Sequence, residues 1–285
     1  MGGRAAASNA RGLARLRFRR GGFRWGMPPS APLLGKASAA VPARPPGRAR
    51  MRMRWRDLLF LHWETSADLI RPTLPPGLEL DLHEDRAFLG IVPFVMAGVR
   101  PAFLPAVPGI SDFPELNLRT YVRDRAGVPG VWFFSLDAAQ WLAVAIARRF
   151  FHLPYHVSRM KVDRYPAGGL ELCSRRRATG AGSRFAWTPG EPLPAPGPGS
   201  LEHFLAERYR FYATDGARLF RGAVAHPPYP LRRAVVTACE ENLFAAAGFE
   251  PAGRGPDHVL CSDGVEVEAF ALEEVGRSAP RSLEP

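Results

Sequence analysis

The chain has 285 residues, of which 46% are hydrophobic and 23% are charged, so it can bury a substantial core in one large domain or two small ones. No uninterrupted apolar stretch approaches the ~20 residues of a membrane-spanning helix. Three scattered cysteines, Cys173, Cys239 and Cys261, exclude a disulfide scaffold and predict buried thiols in a reducing compartment. We therefore expect a cytoplasmic protein without a transmembrane segment.

The formal net charge of +11 comes from the first 50 residues, which contain eleven basic side chains and no acidic one. The rest of the chain carries equal numbers of acidic and basic residues, so its charge gives no reason to expect nucleic-acid binding by the folded part. Residues 1–50 are rich in Arg, Ala, Gly and Pro and show no lasting periodicity, which predicts a disordered basic tail.

Three functions fit such a tail: binding to nucleic-acid phosphates, a transit peptide, or contact with an anionic membrane. The favoured interpretation is a dispensable tail or a translation start placed too far upstream, because GC-rich DNA encodes this composition by default. Met27, Met51 and Met53 are alternative starts. The predicted organisation is a tail over 1–50, one β-rich domain over 51–275 and a C-terminal tail over 276–285.

Patterned sequence begins at Trp55, and the apolar residues over 87–95 predict a buried strand. Residues 116–122 alternate between two kinds of side chain, which predicts a strand with two distinct faces. The segment 131–136 predicts the returning strand of a hairpin, with its turn at 125–127.

Asp137 is predicted to cap a helix over 138–151, and Pro154 ends it because proline disfavours helix in the residue before it. Further strands are predicted over 157–162, 170–175 and 183–187. Five prolines over 189–199 then predict a stiff loop or linker. This leaves open two domains or one continuous sheet, and the short, evenly spaced strands on both sides favour the continuous sheet.

Ser200 is predicted to cap a helix over 201–209, and a short helix is predicted over 242–247. The remaining strands are predicted over 211–214, 219–224, 259–262 and 265–269. Asp263 and Gly264 between the last two predict a tight turn. The predicted fold class is therefore mostly β (α+β), with a few peripheral helices.

Several enzyme motifs of defined spacing are absent from the sequence: the Gly-x-Ser-x-Gly nucleophile elbow, the phosphate loop, the dinucleotide glycine fingerprint and the zinc-protease helix. His152 and His156 have a two-histidine metal spacing, with His62 or His226 as a third candidate ligand, but Pro154 keeps the pair off a regular helix. We expect no metal and no cofactor.

The densest polar chemistry lies over 113–156. A carboxylate among arginines in a partly apolar barrel can act as a general base, an arginine can hold a substrate carboxylate, and a tyrosine can donate a proton. The catalytic candidates are Glu115, Tyr155 and Arg148, and the substrate-binding candidates are Arg119, His152 and His156. The alternative for each arginine is a surface salt bridge.

A series of motifs recurs in order along the chain. It includes Trp55-x-x-Leu58-x-Phe60-x-His62-Trp63, Asn117-x-Arg119-Thr120-Tyr121-Val122, Phe133-Phe134-Ser135-Leu136-Asp137-Ala138 and His226-Pro227-Pro228. Over about 55–270 the chain resembles the YqjF-like family of uncharacterised bacterial proteins. That family is grouped with acetoacetate-decarboxylase-like proteins, so the resemblance implies a large, mostly antiparallel β-barrel with an internal pocket.

The same resemblance can be followed residue by residue into the decarboxylase site. Glu115 and Arg148 stand where the decarboxylase glutamate and arginine are expected, whereas Arg149 replaces a second acid and Tyr155 replaces the lysine. That lysine forms a Schiff base with a keto acid, which a phenol cannot do. The single lysine after residue 50 is Lys161, so Schiff-base decarboxylation is not expected.

Two functions remain open from the sequence. One is an enzyme acting on a small carboxylated or carbonyl compound without Schiff-base chemistry, and the other is a non-catalytic barrel that binds a small molecule. Both imply a small-molecule ligand as the partner. Nucleic acid is not an expected partner, and monomer and homo-oligomer both stay open.

Overall fold

The computed structural model describes residues 44–166, 168–250 and 253–277. The predictions for residues 1–43 of the N-terminal tail and for residues 278–285 of the C-terminal tail lie outside this part of the chain. The strands are β1 Met51–Thr65, β2 Leu78–Leu80, β3 Ala87–Pro101, β4 Phe113–Asp124, β5 Pro129–Ala138, β6 Tyr155–Arg164, β7 Leu170–Arg176, β8 Gly182–Pro192, β9 Arg210–Thr214, β10 Arg218–Ala225, β11 Leu231–Glu240, β12 His258–Ala269 and β13 Glu273–Arg277. The helices are α1 Ala67–Ile70, α2 Trp141–Phe151, α3 Leu201–Ala206 and α4 Leu243–Ala246. None of these helices is long and apolar enough to cross a membrane.

The thirteen strands form one sheet in the order β13-β10-β9-β5-β6-β7-β8-β11-β12-β1-β3-β4-β2. Additional pairings of β10 with β12 and of β5 with β4 give the sheet a ring-like closure. One closed circuit runs through β12, β1, β3, β4, β5, β9 and β10, and a second returns through β6, β7, β8 and β11. Nearly all pairings are antiparallel; β5 pairs in parallel with β6 and β9. The mostly β prediction is confirmed.

The strands shared by the two circuits bury both of their faces. Phe60 and Phe88 point into one apolar cluster, while their neighbours Leu61 and Leu89 point into another. Successive side chains of a strand point to opposite faces, so one wall serves two cores. We call the part of the interior that the first cluster occupies the Phe60 chamber.

The predicted hairpin is confirmed, because β4 and β5 pair on either side of a short turn. The predicted tight turn at Asp263 and Gly264 is wrong. β12 continues through these residues and pairs with β1 on both sides of them. Gly264 has a φ of 131°, and a Cβ there would clash with the carbonyl oxygen of Trp55. A glycine is therefore required here because the backbone of β1 lies close to it, and not because the chain turns.

The predicted cap of the first long helix is also wrong. Asp137 lies within β5, and α2 begins later, with the Gln140 side chain accepting a hydrogen bond from the backbone of Leu142 at 3.2 Å. Ser200 does cap α3, accepting from the backbone of His203 at 3.2 Å. The proline-rich segment over 189–199 is partly strand, since β8 extends into it.

The sequence patterns did not predict β1, β2, β11 and β13 as individual strands. Of the three cysteines predicted to be buried thiols, Cys261 is buried, whereas Cys173 and Cys239 are only half-buried.

Candidate functional site

One face of β4 carries a row of polar side chains into the interior, from the apolar cluster that contains Tyr155 to the Phe60 chamber. Glu115, Asn117, Arg119 and Tyr121 alternate with leucines that pack into the opposite cluster, and all four are buried. The two-residue period of a strand makes this row a direct consequence of the local sequence. The row places an acid, an amide, a guanidinium and a phenol along one wall of the interior.

Glu115 and Tyr155 form a buried hydrogen-bonded pair. The Tyr155 hydroxyl donates to Oε2 of Glu115 at 2.8 Å, although the residues lie on different strands, β4 and β6. Burial raises the pKa of Glu115 from 4.5 to about 8, and the nearby Asp137 carboxylate adds to that rise. The hydrogen bond from Tyr155 opposes the rise, because it stabilises the charged form. Burial and the Glu115 carboxylate raise the pKa of Tyr155 well above its ordinary value.

This pair has the properties of a proton-transfer site. A carboxylic acid with a pKa near neutrality changes its protonation state at little cost under ordinary conditions. A carboxylic acid with an unshifted pKa would be almost fully ionised at neutral pH. The structure thus brings together two of the three predicted catalytic residues.

Arg119 is a buried cation that no carboxylate neutralises among the described residues. Its Nη2 donates to the carbonyl oxygen of Leu205 at 3.0 Å, and its guanidinium lies 5.8 Å from the ring centroid of Phe60. Its Nε and the Oδ1 of Asn117 have no hydrogen-bond partner in the described part of the chain. Buried polar groups normally have partners, so the Nε of Arg119 is suited to donate to an anionic ligand and the Oδ1 of Asn117 to accept from a donor group of a ligand.

A second buried polar group lies beside Arg119, and the sequence named its histidine, His62, only as a candidate metal ligand. The Nε2 of His62 lies 2.8 Å from the Tyr121 hydroxyl, and burial holds the pKa of His62 well below its ordinary value. Gly90 faces them, and a Cβ at that position would lie 3.1 Å from the His62 ring. Both His62 and Tyr121 occur in the recurring motifs, but no local pattern links residues 59 positions apart.

Arg148 reaches Tyr155 through its main chain rather than through its phenol. The Nε of Arg148 donates to the carbonyl oxygen of Tyr155 at 2.7 Å, and its Nη2 reaches the same oxygen. Arg148 also lines an open cleft of about 680 Å³, together with His152 and Asp215. His152 ends α2 in a left-handed conformation and stacks on Phe220 at a centroid distance of 5.0 Å. The roles of Arg148 and His152 stay predictions.

Asp137 does not cap a helix; its carboxylate forms a buried ion pair with Arg176. Its carboxylate accepts from the Nε of Arg176 at 2.8 Å, and the Nη2 of Arg176 donates to the Ser135 hydroxyl at 2.7 Å. Asp137 points away from the Phe60 chamber, because it pairs across the strands with Leu116. Half-buried His156 lies near Arg176 and Arg148, and burial together with both positive charges lowers its pKa. Its predicted role in substrate binding is untested.

The candidates for other chemistry lie elsewhere. Lys161 has 62% of its side chain exposed and pairs with Asp163 at 2.7 Å, whereas Glu115 is buried. The described residues contain no group of three or more His, Cys, Asp or Glu side chains placed to bind a metal ion.

Replacing Tyr155 by phenylalanine is expected to raise the pKa of Glu115 above about 8, because the hydrogen bond that lowers it is lost. The change should also destabilise the fold by about 1–2 kcal/mol, since one carboxyl oxygen loses its donor in a buried site. A pH series of urea unfolding curves, beside the wild type, measures both effects. An unchanged pH profile would show that the two side chains are not coupled in solution.

Comparison with known proteins places the chain in a family. Residues 52–266 match the DUF2071 family of uncharacterised conserved proteins. The uncharacterised protein YqjF of Bacillus subtilis (strain 168) is 39% identical over 206 residues, which cover 72% of this chain and 84% of that protein.

Solved structures of similar fold are acetoacetate-decarboxylase-like. The acetoacetate decarboxylase of Legionella pneumophila superposes with a TM-score of 0.59 at 14% identity, covering 87% of this chain and 98% of that one. An acetoacetate-decarboxylase-like enzyme of Sphingomonas wittichii RW1 gives 0.57 at 11% identity, covering 84% and 100%. The enduracididine biosynthesis enzyme MppR gives 0.57 at 12% identity, covering 86% and 99%. The fold is thus acetoacetate-decarboxylase-like, and the chain belongs to the DUF2071 family.

Proposed function

We propose that this protein is an enzyme that transfers a proton on a small carboxylated or carbonyl compound bound in the Phe60 chamber, without forming a Schiff base. Arg119 binds the carboxylate of the compound, Glu115 takes the proton as a general base, and Tyr155 supplies a hydrogen bond or a proton to the developing oxyanion.

The observation that carries this proposal is the row of buried polar side chains on one face of β4. A buried acid with a pKa of about 8 and a buried guanidinium without a carboxylate partner among the described residues lie on the same face of β4. Burying an unneutralised cation and an acid costs free energy. Such groups cluster where chemistry uses them, and a bound carboxylate would offset the cost at Arg119.

Two further observations support the class of compound and the absence of an imine. The similar structure of MppR was solved with pyruvate, a small compound that has both a carboxylate and a carbonyl. In this chain Tyr155 stands where the resemblance to the decarboxylases places their lysine. Lys161, on β6, has an exposed side chain.

The proposed role of Glu115 sets the direction of the pH dependence. A general base acts in its ionised form, and the Glu115 carboxyl becomes mostly ionised only above its pKa of about 8. The rate of proton abstraction is therefore expected to rise with pH and to level off above about 8. A rate that is already maximal at pH 6 would contradict a base with this pKa.

Exchange of carbon-bound hydrogen for deuterium tests the proposal without knowledge of the product. The full chain is incubated in D2O with a panel of small keto and hydroxy acids, and loss of the proton next to the carbonyl is followed by ¹H NMR. We expect exchange with at least one compound, and Glu115→Gln should slow it by about 10²-fold or more. Arg119→Met should weaken binding of the same compound. The exposed residues Glu79 and Arg125 provide matched controls as Glu79→Gln and Arg125→Met.

The outcomes separate the proposal from its alternative. A compound that binds in native mass spectrometry, in a manner that depends on Arg119, but shows no exchange would identify a non-catalytic binding protein. Equal exchange by the wild type and Glu115→Gln would remove Glu115 from the chemistry.

A further inference from the structure

The loop over 102–112, between β3 and β4, presents apolar side chains to solvent. Phe103 is 83% exposed, and Leu104, Val107 and Ile110 are each between 42% and 49% exposed. Single exposed apolar residues are ordinary, but four large ones on one short loop form a patch that typically marks an interaction site.

The loop holds these side chains in place through its own hydrogen bonds. The backbone of Val107 donates to the Ser111 hydroxyl at 2.8 Å, and Ser111 donates back to the Val107 carbonyl at 2.9 Å. Leu104 donates to the carbonyl of Pro101 at 3.0 Å. Because Ser111 is itself buried, the loop is anchored to the body of the protein.

Arginines surround the base of this loop. β1 pairs with the end of β3, with Arg52 opposite Arg100, and the backbone of Ala102 donates to the Arg50 carbonyl at 2.9 Å. A groove of about 440 Å³ runs between the segment 44–52 and Phe103. The basic side chains and the apolar loop thus form one continuous surface.

The charge of this surface is not balanced. Glu268 pairs with both Arg44 and Arg52, at 2.7 and 3.1 Å. Asp112 lies at the base of the loop and accepts a backbone hydrogen bond from Gly98. Arg48, Arg50 and Arg100 form no ion pair with a carboxylate among the described residues. The surface therefore has an excess of positive charge beside its exposed apolar loop.

We propose that loop 102–112 with Arg48, Arg50 and Arg100 docks the protein on an anionic phospholipid membrane. The loop inserts Phe103 and Leu104 among the acyl chains near the headgroups, and the arginines pair with the lipid phosphates. A second copy of this chain fits less well, because it would bring the same unneutralised arginines together. Nucleic acid would use the arginines but would leave the aliphatic side chains of the loop exposed.

Vesicle co-sedimentation of the full chain tests this proposal. Vesicles of phosphatidylcholine alone are compared with vesicles that also contain phosphatidylglycerol, and we expect binding to the mixed vesicles only. Phe103→Ser with Leu104→Ser should weaken that binding by roughly tenfold or more, because two apolar side chains no longer insert. Arg48→Ser with Arg50→Ser should weaken it by roughly fivefold for each arginine. Val235→Ser, at a 63% exposed apolar residue on β11, is the matched control.

Two results would overturn the proposal. If the Phe103 and Leu104 changes leave vesicle binding unchanged, the attraction is only electrostatic and the loop does not insert. If the full chain binds a single-stranded RNA oligonucleotide more tightly than mixed vesicles, and the arginine changes abolish that binding, the surface serves nucleic acid. Unfolding temperatures of all variants exclude loss of the fold as the cause.

Discussion

Replacing Arg176 by methionine is expected to destabilise the fold by about 3–5 kcal/mol, because the change leaves the buried Asp137 carboxylate without its ion-pair partner. The two side chains are 6% and 3% exposed, so water cannot replace the lost contact. Burial raises the pKa of Asp137, and the Arg176 charge opposes that rise only in part. The Ser135 hydroxyl also loses its contact with Nη2.

Urea unfolding of the two variants Arg176→Met and Arg175→Met measures this effect. Arg175 precedes Arg176 on β7 and is exposed, so its change should alter stability by less than about 0.5 kcal/mol. Asp137→Leu combined with Arg176→Met should recover much of the loss, since no unpaired charge remains. Equal stabilities of the two single variants would show that the Asp137 pair carries little of the fold.

The second large effect is a dependence of stability on pH that Glu115 imposes. The folded-state pKa of Glu115 is about 8 against an ordinary value of 4.5, so between these values the folded chain binds a proton that the unfolded chain releases. The contribution of Glu115 to stability therefore falls as pH rises through this window. In the limit the loss is about 5 kcal/mol, at ~1.4 kcal/mol for each pKa unit.

Glu115→Gln removes this proton and isolates its effect. Buried histidines titrate in the same range with the opposite sign, because the pKa values of His62 and His226 are lowered by burial. The difference in unfolding free energy between the wild type and Glu115→Gln cancels their contribution. We expect this difference to shift against the wild type as pH rises from 5 toward 8, whereas Glu79→Gln should give a flat difference. A flat difference for Glu115→Gln would mean an unshifted carboxyl.

Local sequence patterns predict the parts of the fold that depend on local periodicity. The alternation along β4 specifies which side chains enter the Phe60 chamber, and the spacing of β4 and β5 specifies their hairpin. The resemblance to the decarboxylases predicts that Glu115 and Tyr155 lie in one site, because both align with residues of the decarboxylase site. Their separation of 40 residues gives no local signal.

The errors arise where a distant strand decides the local outcome. Gly264 reads as a turn residue, but the nearby carbonyl of Trp55 requires a glycine within a continuous strand. Asp137 reads as a helix cap, yet Arg176, 39 residues later, takes its carboxylate into an ion pair.

The protonation of Glu115 is the most direct test of the proposed site. The full chain is labelled with ¹³C at the glutamate side-chain carboxyl, and Glu115→Gln identifies the Glu115 resonance by its loss. Following this resonance with pH should give a midpoint near 8, well separated from the exposed glutamates. A midpoint near 4.5 would show that Glu115 is an ordinary ionised carboxylate, and the proposed proton-transfer site would then be wrong.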